Sequence, residues 1–224
     1  MLRALGDGVW IDNEPVSILG MRLTSTMTVL RLADGTLLLV SPVRLTPERR
    51  AAVGELGSVA HLYAPNLYHH LWIAEWAAAF PAARVHAPDG LGRKQPGLRI
   101  DRVHGGSPEP AFAGLLDEQH IDGFRLGESV LLYRPARTLV VTDLVQNVGH
   151  PEQRWARFYT RAMGFYGRVA LSRIIRWTSF SDRAAARRSL DAVLALDFER
   201  IIVGHGPPIE SGAKAALSGA FSWL

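Results

Sequence analysis

Runs of apolar residues and turn dipeptides divide the chain into two β-rich blocks, each followed by helical sequence. In the first block, residues 26–43 hold two apolar runs joined by Asp34 and Gly35, a dipeptide that suits a tight hairpin turn. The second run reads TLLLV, which is typical of a strand that is covered on both faces. A helix is predicted next, because Thr46 can cap its N-terminus and Pro47 suits its first position.

The remaining sequence continues this alternation of strands and helices. Predicted strands lie within residues 58–64, 83–88, 123–145 and 199–209, and predicted helices within residues 71–80, 152–196 and 211–224. Residues 89–110 are rich in glycine and proline and are predicted to form a loop. This order favours a layered α/β or α+β sandwich, and we expect residues 1–224 to form one domain.

The composition is that of a soluble globular protein, since 48% of the 224 residues are apolar and 21% are charged. No apolar run approaches the roughly 18 residues of a membrane span, and no leader-like segment opens the chain, so we expect a cytoplasmic protein. The net charge of +4 is modest for a nucleic-acid-binding protein, a class that we therefore do not favour. Because the chain has no cysteine, any metal must be held by His, Asp or Glu.

Side chains that can bind a metal follow three of the predicted strands. Each lies in the loop just after its strand: His69, His70, Asp143 and His205. Loops at strand ends are where a rigid sheet presents functional groups, so we predict that His70, Asp143 and His205 converge at one edge of the sheets. Three imidazoles and one carboxylate suit zinc or iron in both softness and number.

The order of these segments resembles the metallo-β-lactamase-fold superfamily. RIIVGHGPPI, residues 200–209, is similar to the late GHG motif of that superfamily, and TLVVTDLV, residues 138–145, is similar to the strand that ends in its bridging aspartate. The resemblance covers nearly the whole chain. It implies a mixed α/β fold, a four-layer αββα sandwich with the metal site along one edge, and hydrolysis of an ester, amide, thioester or phosphoester.

The first metal-binding motif departs from the family pattern. The four ligand positions of the family's H-x-H-x-D-H motif fall here on Pro65, Leu67, His69 and His70. The first two histidines of the motif are therefore absent. A later family histidine is also absent from its expected place, and His120 fits that place only with a shift. The pocket around Pro65 and Leu67 is therefore expected to be apolar and unable to hold a second metal.

The positions that remain match the family's second metal site, with His69 in place of an aspartate. The resemblance implies one zinc ion at most, with iron or manganese as alternatives, held by His70, Asp143 and His205. His69 is predicted as a fourth ligand or an outer base, which makes His69 and Asp143 the predicted catalytic residues. The alternative is a degenerate site without metal, in which these side chains are ordinary hydrogen-bonded polar residues.

Four more polar residues beside these loops are predicted to bind substrate: Asn66, Arg125, Glu128 and Asn147. For Asn66 a second interpretation stays open, because asparagine also suits the cap of the helix that is predicted to follow. The substrate itself is expected to be a small molecule.

A basic amphipathic helix is predicted over residues 154–177. Its apolar face has helical spacing: Trp155, Phe158, Tyr159, Ala162, Met163 and Tyr166. Its opposite face carries arginines: Arg154, Arg157, Arg161 and Arg168. The favoured interpretation is a core-packed helix with a solvated arginine face. A lid over the site, which would favour anionic substrates, a homodimer contact and a membrane-surface helix are the alternatives.

Three functions follow from these observations. The favoured one is a metal-dependent hydrolase with one ion that activates water against a small-molecule substrate. The second is a catalytically degenerate fold that serves as a ligand- or partner-binding module, consistent with Pro65 and Leu67 in ligand positions. The third is a peripheral membrane or interaction protein that acts through the helix at 154–177.

Overall fold

Two β-sheets form the centre of the protein in the computed structural model, which describes residues 2–224. The strands are β1 (Arg3–Gly6), β2 (Val9–Ile18), β3 (Met21–Arg31), β4 (Leu37–Val40), β5 (Val59–Tyr63), β6 (Arg84–Ala87), β7 (Arg102–Val103), β8 (Leu116–His120), β9 (Ser129–Tyr133), β10 (Thr138–Val140) and β11 (Arg200–Ile202). The helices are α1 (Pro47–Leu56), α2 (Ile73–Ala79), α3 (Leu91–Lys94), α4 (Arg154–Met163), α5 (Arg173–Thr178), α6 (Arg183–Ala195) and α7 (Ala213–Ala220). Short 3₁₀ turns lie at Pro110–Phe112 and Arg134–Ala136.

Side-chain alternation along the central strands produces three apolar layers. Leu62 of β5 packs with Trp76 of α2 on the outer face of the first sheet, whereas the next residue, Tyr63, lies between the sheets with Leu131 of β9. Leu132 of β9 points the other way, towards α6 and α7 on the outside of the second sheet. Because successive strand residues face opposite sides, each central strand contributes to two layers. The predicted four-layer αββα sandwich of mixed α/β class is thereby confirmed.

Strand directions bring several loops to the same edge of the sandwich. In the first sheet, in the order β1 to β7, strands β4 and β5 are parallel. In the second sheet, in the order β11-β10-β9-β8, strands β10 and β11 are parallel. The loops after β4, β5, β10 and β11 therefore leave from carboxyl ends that lie together. The amide of Thr26 on β3 donates to the carbonyl of Gly204 after β11 at 3.0 Å, which ties the two sheets together at this edge.

Several local predictions are confirmed. β3 and β4 pair antiparallel on either side of Asp34 and Gly35, and Thr46 Oγ1 accepts a hydrogen bond from the Arg49 amide at the start of α1. None of the helices formed by residues 2–224 combines the length and the apolar character that a bilayer crossing requires.

The prediction of one helix over residues 154–177 is wrong. α4 ends at Met163 and is capped by Gly164, which has φ +80°, and α5 begins only at Arg173. Between them Ala170 pairs with Gln146 through two backbone hydrogen bonds of 3.1 and 3.2 Å, so the chain runs extended there. The expected core-packed face is also wrong, because Trp155 and Phe158 are 49% and 64% exposed.

His104 is a buried, titratable side chain in the layer between the sheets. Its ring stacks on Tyr63 with centroids 4.3 Å apart, and neither of its nitrogens has a hydrogen-bond partner among residues 2–224. Burial, with a smaller contribution from the charge of Arg102, lowers the pKa of His104 well below its usual value. His104 is therefore neutral in the folded protein near neutral pH, whereas in the unfolded chain it takes a proton below about pH 6.5.

We expect this difference to make the fold sensitive to acid. The unfolded chain binds the additional proton, so the stability is fully present above about pH 6.5 and falls as the pH is lowered below that value. His104→Phe keeps an aromatic ring on Tyr63 and removes the titration. Urea unfolding at pH 7.5 and pH 5 should show a smaller loss of unfolding free energy in His104→Phe than in the wild type; equal losses would contradict the assignment.

Candidate metal centre and substrate cleft

His69, Asp143 and His205 meet at the shared edge of the two sheets. Nε2 of His69 and Nε2 of His205 each lie 3.5 Å from Oδ1 of Asp143, and the three donor atoms lie within 4.8 Å of one another. All three side chains are buried, with relative exposures of 7%, 7% and 5% in chain order. Two imidazoles and a carboxylate thus converge on one point from three separate loops.

The spacing of these donors matches a metal centre better than a hydrogen-bonded cluster. Zinc bound at about 2.0–2.2 Å in tetrahedral geometry places its ligand atoms about 3.3–3.6 Å apart. The two measured separations of 3.5 Å fall in that range. They are long for a charged hydrogen bond, which is normally about 2.7–2.9 Å. A set of two nitrogens and one oxygen suits zinc and equally suits iron or manganese.

His69 is oriented from both sides. Asn66 Oδ1 accepts the backbone amides of Tyr68 and His69 at 2.8 Å each, which holds the turn that precedes α2. Ser41 Oγ lies 2.9 Å from His69 Nδ1. Ser41 directly follows β4 and has φ +51°, an unfavourable backbone conformation for serine that directs its hydroxyl at the imidazole. With Nδ1 as the donor to Ser41, the lone pair of His69 is on Nε2, which faces Asp143.

Asp143 is held by two buried neighbours. Asn66 Nδ2 donates to Asp143 Oδ2 at 2.9 Å and lies 3.1 Å from Glu128 Oε2. Glu128 in turn accepts the backbone amides of Thr142 and Asp143 at 2.8 and 2.9 Å. The second carboxylate oxygen of Asp143 is thereby engaged, and Oδ1 is left directed at the two histidines.

His205 is supported in the way that metal-binding histidines usually are. Its Nδ1 donates to the backbone carbonyl of Thr24 at 2.8 Å, which leaves the lone pair on Nε2. Gly204 allows the loop to pass close to the other histidine, because an added Cβ there would lie 2.7 Å from His69 Cε1.

The electrostatics of the site favour a cation. Burial raises the pKa of Asp143, but the electrostatic attraction of the neighbouring His69 and His205 imidazoles outweighs it and lowers that pKa. Burial lowers the pKa of His205, yet the hydrogen bond to Asp143 and its charge raise it above the usual value. Burial and the charge of Asp143 raise the pKa of Glu128 to about 7. The negative charge that holds a proton on His205 is equally suited to attract a metal ion.

The structure exchanges the roles that the sequence suggested for the adjacent histidines. His69 lies in the donor cluster, whereas His70 Nδ1 lies 3.2 Å from Gln95 Nε2 and His70 is not part of the cluster. Of the predicted residues His69, His70, Asp143 and His205, the structure thus brings together His69, Asp143 and His205, and the expected convergence of His70 with the other two is wrong. The reason is the turn at residues 66–72: both histidines are buried, but neighbouring side chains project in different directions, so that His69 faces Asp143 and His70 faces Gln95.

Of the four predicted substrate-binding residues, none lines the cleft above the cluster among residues 2–224. Asn66 and Glu128 are fully buried beneath Asp143. Asn147 Nδ2 donates to the Pro207 carbonyl and braces the loop after His205. Arg125 is exposed, and its amide donates to the Ser179 carbonyl. These contacts assign three of them to supporting the loops.

The region of the absent ligands is apolar, as expected. Pro65 is buried, and Leu67 packs against the outer core of the first sheet. His120 Nδ1 contacts Ser129 Oγ at 3.0 Å instead of joining the cluster.

A cleft of about 520 Å³ opens above the three donors, and sequence reasoning missed most of its lining. The tip of the β2–β3 hairpin, with Ile18 and Leu19, forms one wall, and α5, with Ile174 and Ile175, forms another. We call the segment 16–23 the flap. The sequence signal for this wall is the apolar pair Ile18 and Leu19 at the hairpin turn. In the structure Leu19 is 66% exposed.

Hydrogen bonds from the start of α4 hold the flap in place. Trp155 Nε1 donates to the Leu19 carbonyl at 2.8 Å, and Gln153 Oε1 accepts the Arg22 amide at 2.7 Å. The arginines of α4 lie apart from the cleft, because Arg154, Arg157 and Arg161 line a separate shallow surface. α4 thus positions one wall of the cleft without bringing its charges to the cleft floor.

Several solved structures with a similar fold are metallo-β-lactamases. A metallo-β-lactamase from Pontibacter korlensis is 13% identical and superposes with a TM-score of 0.70 over 99% of this chain and 97% of that chain. The metallo-β-lactamase DIM-1 is 12% identical, with a TM-score of 0.67 over 98% and 95% of the two chains. FIM-1 from Pseudomonas aeruginosa in its mono-zinc form is 12% identical, with a TM-score of 0.67 over 98% and 93%. No protein-family model and no curated protein sequence matches the chain. The protein has the metallo-β-lactamase fold.

Proposed function

We propose that this protein is a hydrolase that uses one metal ion, held by His69, Asp143 and His205, against a small molecule with an apolar body. The observation that carries the proposal is the donor cluster, with Asp143 Oδ1 at 3.5 Å from both imidazoles, at the floor of a cleft of about 520 Å³. The metallo-β-lactamase fold supports a metallo-hydrolase-like protein.

A divalent ion bound by these residues would act as a Lewis acid, lowering the pKa of water and polarising a carbonyl or phosphoryl oxygen. The chain's own residues prepare that chemistry. Ser41 and the Thr24 carbonyl fix the ring orientation of His69 and His205. Asn66 holds Asp143 so that one carboxylate oxygen faces the two imidazoles. These supports reduce the reorganisation that metal binding and catalysis would otherwise require.

The lining of the cleft favours an apolar substrate. Over residues 2–224 it contains no lysine or arginine, and much of it is aliphatic or aromatic: Val16, Ile18, Leu19, Met21, Leu23, Tyr68, Leu71, Trp72, Leu126, Tyr159, Phe165, Ile174 and Ile175. Apart from the metal ion itself, an anionic substrate would find no cationic side chain of the cleft lining to pair with its charge. We therefore favour an ester, thioester or amide with an apolar acyl chain over an anionic phosphoester.

A single ion is favoured by the residues around the cluster. Pro65 and Leu67 offer no ligand atoms in the positions of the family's first histidines. The structural neighbour FIM-1 is described in a mono-zinc form, which supports the proposal that a protein of this fold can bind a single ion.

The test is hydrolysis of a series of p-nitrophenyl esters from acetate to octanoate by the zinc-loaded protein. Each methylene that is buried in the cleft stabilises binding by about 0.8 kcal/mol, so we expect kcat/KM to rise about fourfold for each methylene of the first few. Leu19→Ser at the flap should flatten this dependence and leave the acetate rate unchanged, because it removes apolar wall and touches none of the donors.

His205→Ala provides the background rate of the same assay. Hydrolysis that equals this background, or that persists after chelation, would overturn the hydrolase. If zinc also fails to bind the wild type, the same cleft favours the second candidate, a binding module for apolar ligands. The observation behind that candidate is the cleft itself, which needs no metal to bury an apolar chain.

A further inference from the structure

We propose that His61, His86 and Glu109 form a second metal site, for a divalent ion of the zinc class, inside the layer between the two sheets. One donor atom from each of the three lies within 4.8 Å of the others. All three side chains are buried, with relative exposures of 6%, 0% and 6%. The site is separate from the His69 cluster and shares none of its residues.

Strand register places the two histidines together. β5 and β6 are parallel neighbours, with His61 opposite Arg84 and Tyr63 opposite His86. His61 and His86 are therefore diagonal neighbours on the inner face of the sheet, because residues two apart on a strand share a face. His61 Nδ1 and His86 Nε2 lie 2.9 Å apart. This is a hydrogen-bond distance, and the two nitrogens would need to separate by only about 0.4 Å to reach the roughly 3.3 Å between ligand atoms on tetrahedral zinc.

Glu109 completes the set from the segment that covers the sheet. It precedes the 3₁₀ turn Pro110–Phe112, and the Phe112 ring packs on both histidines with centroid separations of 5.4 and 5.2 Å. Phe112 thus shields the donors from solvent. A carboxylate in such a position is costly to bury unless a positive charge compensates it.

The contacts within the protein satisfy this cluster only in part. The His61–His86 contact uses one nitrogen of His86, and the other, Nδ1, is buried without a partner among residues 2–224. Arg84 Nη1 lies 3.4 Å from one Glu109 oxygen and 3.2 Å from the other, but Oε2 receives no well-formed hydrogen bond. Arg84 is also 49% exposed at its side chain, so its charge is largely screened by water.

The donor set suits zinc in its chemistry as well as its geometry. Two imidazoles and one carboxylate are borderline ligands that zinc accepts readily. Burial lowers the pKa of both histidines, that of His86 to about 3, so both rings are neutral at pH 7. Neutral imidazoles have the free lone pair that a metal requires.

The burial of the site assigns it a structural role. Phe112 belongs to the core between the sheets, and none of the three donor residues lines the cleft above the His69 cluster. A metal here would join the segment before Phe112 to β5 and β6, and so hold the cover of the inner layer onto the first sheet. Its effect should therefore appear in stability and metal content, with no requirement for hydrolysis.

The experiment removes the first cluster so that the second can be counted alone. In His69→Ala/His205→Ala, equilibrium dialysis with zinc should give one bound ion per chain. The melting temperature should rise by about 5–10 °C when free zinc is about 100 times the dissociation constant. Adding His86→Phe to this background should abolish both the bound ion and the rise in melting temperature. Phenylalanine keeps an aromatic ring against Phe112 and supplies no ligand. Glu109→Gln is the second variant, which retains size and removes the carboxylate charge.

His104→Phe in the same background is the matched control, since it changes a buried histidine outside the set and should leave one ion bound. Absorbance of the cobalt-loaded protein gives a readout that needs no activity: d–d bands should be present with His104→Phe and absent with His86→Phe. The proposal is overturned if the His69→Ala/His205→Ala protein binds no zinc and its melt ignores zinc. It is also overturned if His86→Phe and Glu109→Gln both retain the ion. Neither result bears on the His69 cluster, which is tested by comparing the zinc content of the wild type with that of the His69→Ala/His205→Ala protein.

Discussion

Replacing His205 with alanine is expected to remove one bound metal ion per chain and to reduce ester hydrolysis to the level of the chelated wild type. His205 contributes one of three donors, and its Nε2 lies 3.5 Å from the carboxylate oxygen at the centre of the cluster. Loss of a residue that merely supports a ligand weakens metal binding by about 10–100-fold. Loss of the ligand itself should exceed the upper end of that range. Metal content after dialysis and kcat/KM on the ester series are the measurements.

The matched control is His70→Ala. It removes the same chemical group from the neighbouring position, but His70 contacts Gln95 and lies outside the donor cluster. We expect it to retain the metal ion that His205→Ala loses. Chelation should lower the melting temperature of the wild type and of His70→Ala, because a ligand that binds only the folded state stabilises it. If His70→Ala loses the ion and His205→Ala keeps it, the assignment of ligands is wrong.

The approach of the loops could be predicted from the sequence, because it depends on strand order. Buried apolar runs ending in Asp143 and His205 signal strands, and parallel neighbours bring their carboxyl ends to one edge. Apolar runs on either side of Asp34 and Gly35 also predicted the β3–β4 hairpin, and Thr46 and Pro47 predicted the start of α1. Such features follow from local chemistry that agrees with the global fold.

The choice between His69 and His70 could not be predicted, because it depends on the direction of one side chain. That direction is set by Asn66, whose amide contacts its own turn at His69 and two segments far away in sequence, at Glu128 and at Asp143. Ser41 was missed for the same reason: its left-handed backbone at the end of β4 directs its hydroxyl to His69, and no sequence pattern predicts this conformation.

The other failures arise where tertiary contacts outweigh periodicity. Helical spacing continues past Gly164, yet the chain there leaves the helix to pair Ala170 with Gln146. β8 was not predicted because its sequence, LDEQH, is polar; it is the edge strand of its sheet and is recruited by pairing with β9. The apolar flap at Ile18 and Leu19 has meaning only once the cleft beneath it is known.

Replacing Gly206 with alanine is expected to destabilise the fold by about 4 kcal/mol or more, an exceptional loss for one methyl group. Gly206 has φ +105°, and an added Cβ would overlap the carbonyl of Asn147, which is backbone and cannot rotate away. The loop after His205 must therefore shift, and the Asn147 amide that donates to the His205 carbonyl must shift with it. Guanidinium unfolding gives the loss of free energy, and dialysis gives the expected loss of metal from the protein that remains folded.

Gly35→Ala separates backbone strain from steric overlap. Gly35 also has a left-handed backbone, with φ +82°, but no atom lies within 4 Å of a Cβ added there. Gly35→Ala should therefore lower the free energy of unfolding only by the strain of that conformation, about 1–2 kcal/mol, and leave metal binding intact. The difference between the two variants then measures how tightly the His205 loop is packed against residues 147 and 148. Equal losses would mean that the loop can move away from Asn147, and that His205 is held by its hydrogen bond to Thr24 instead of by the packing of this loop.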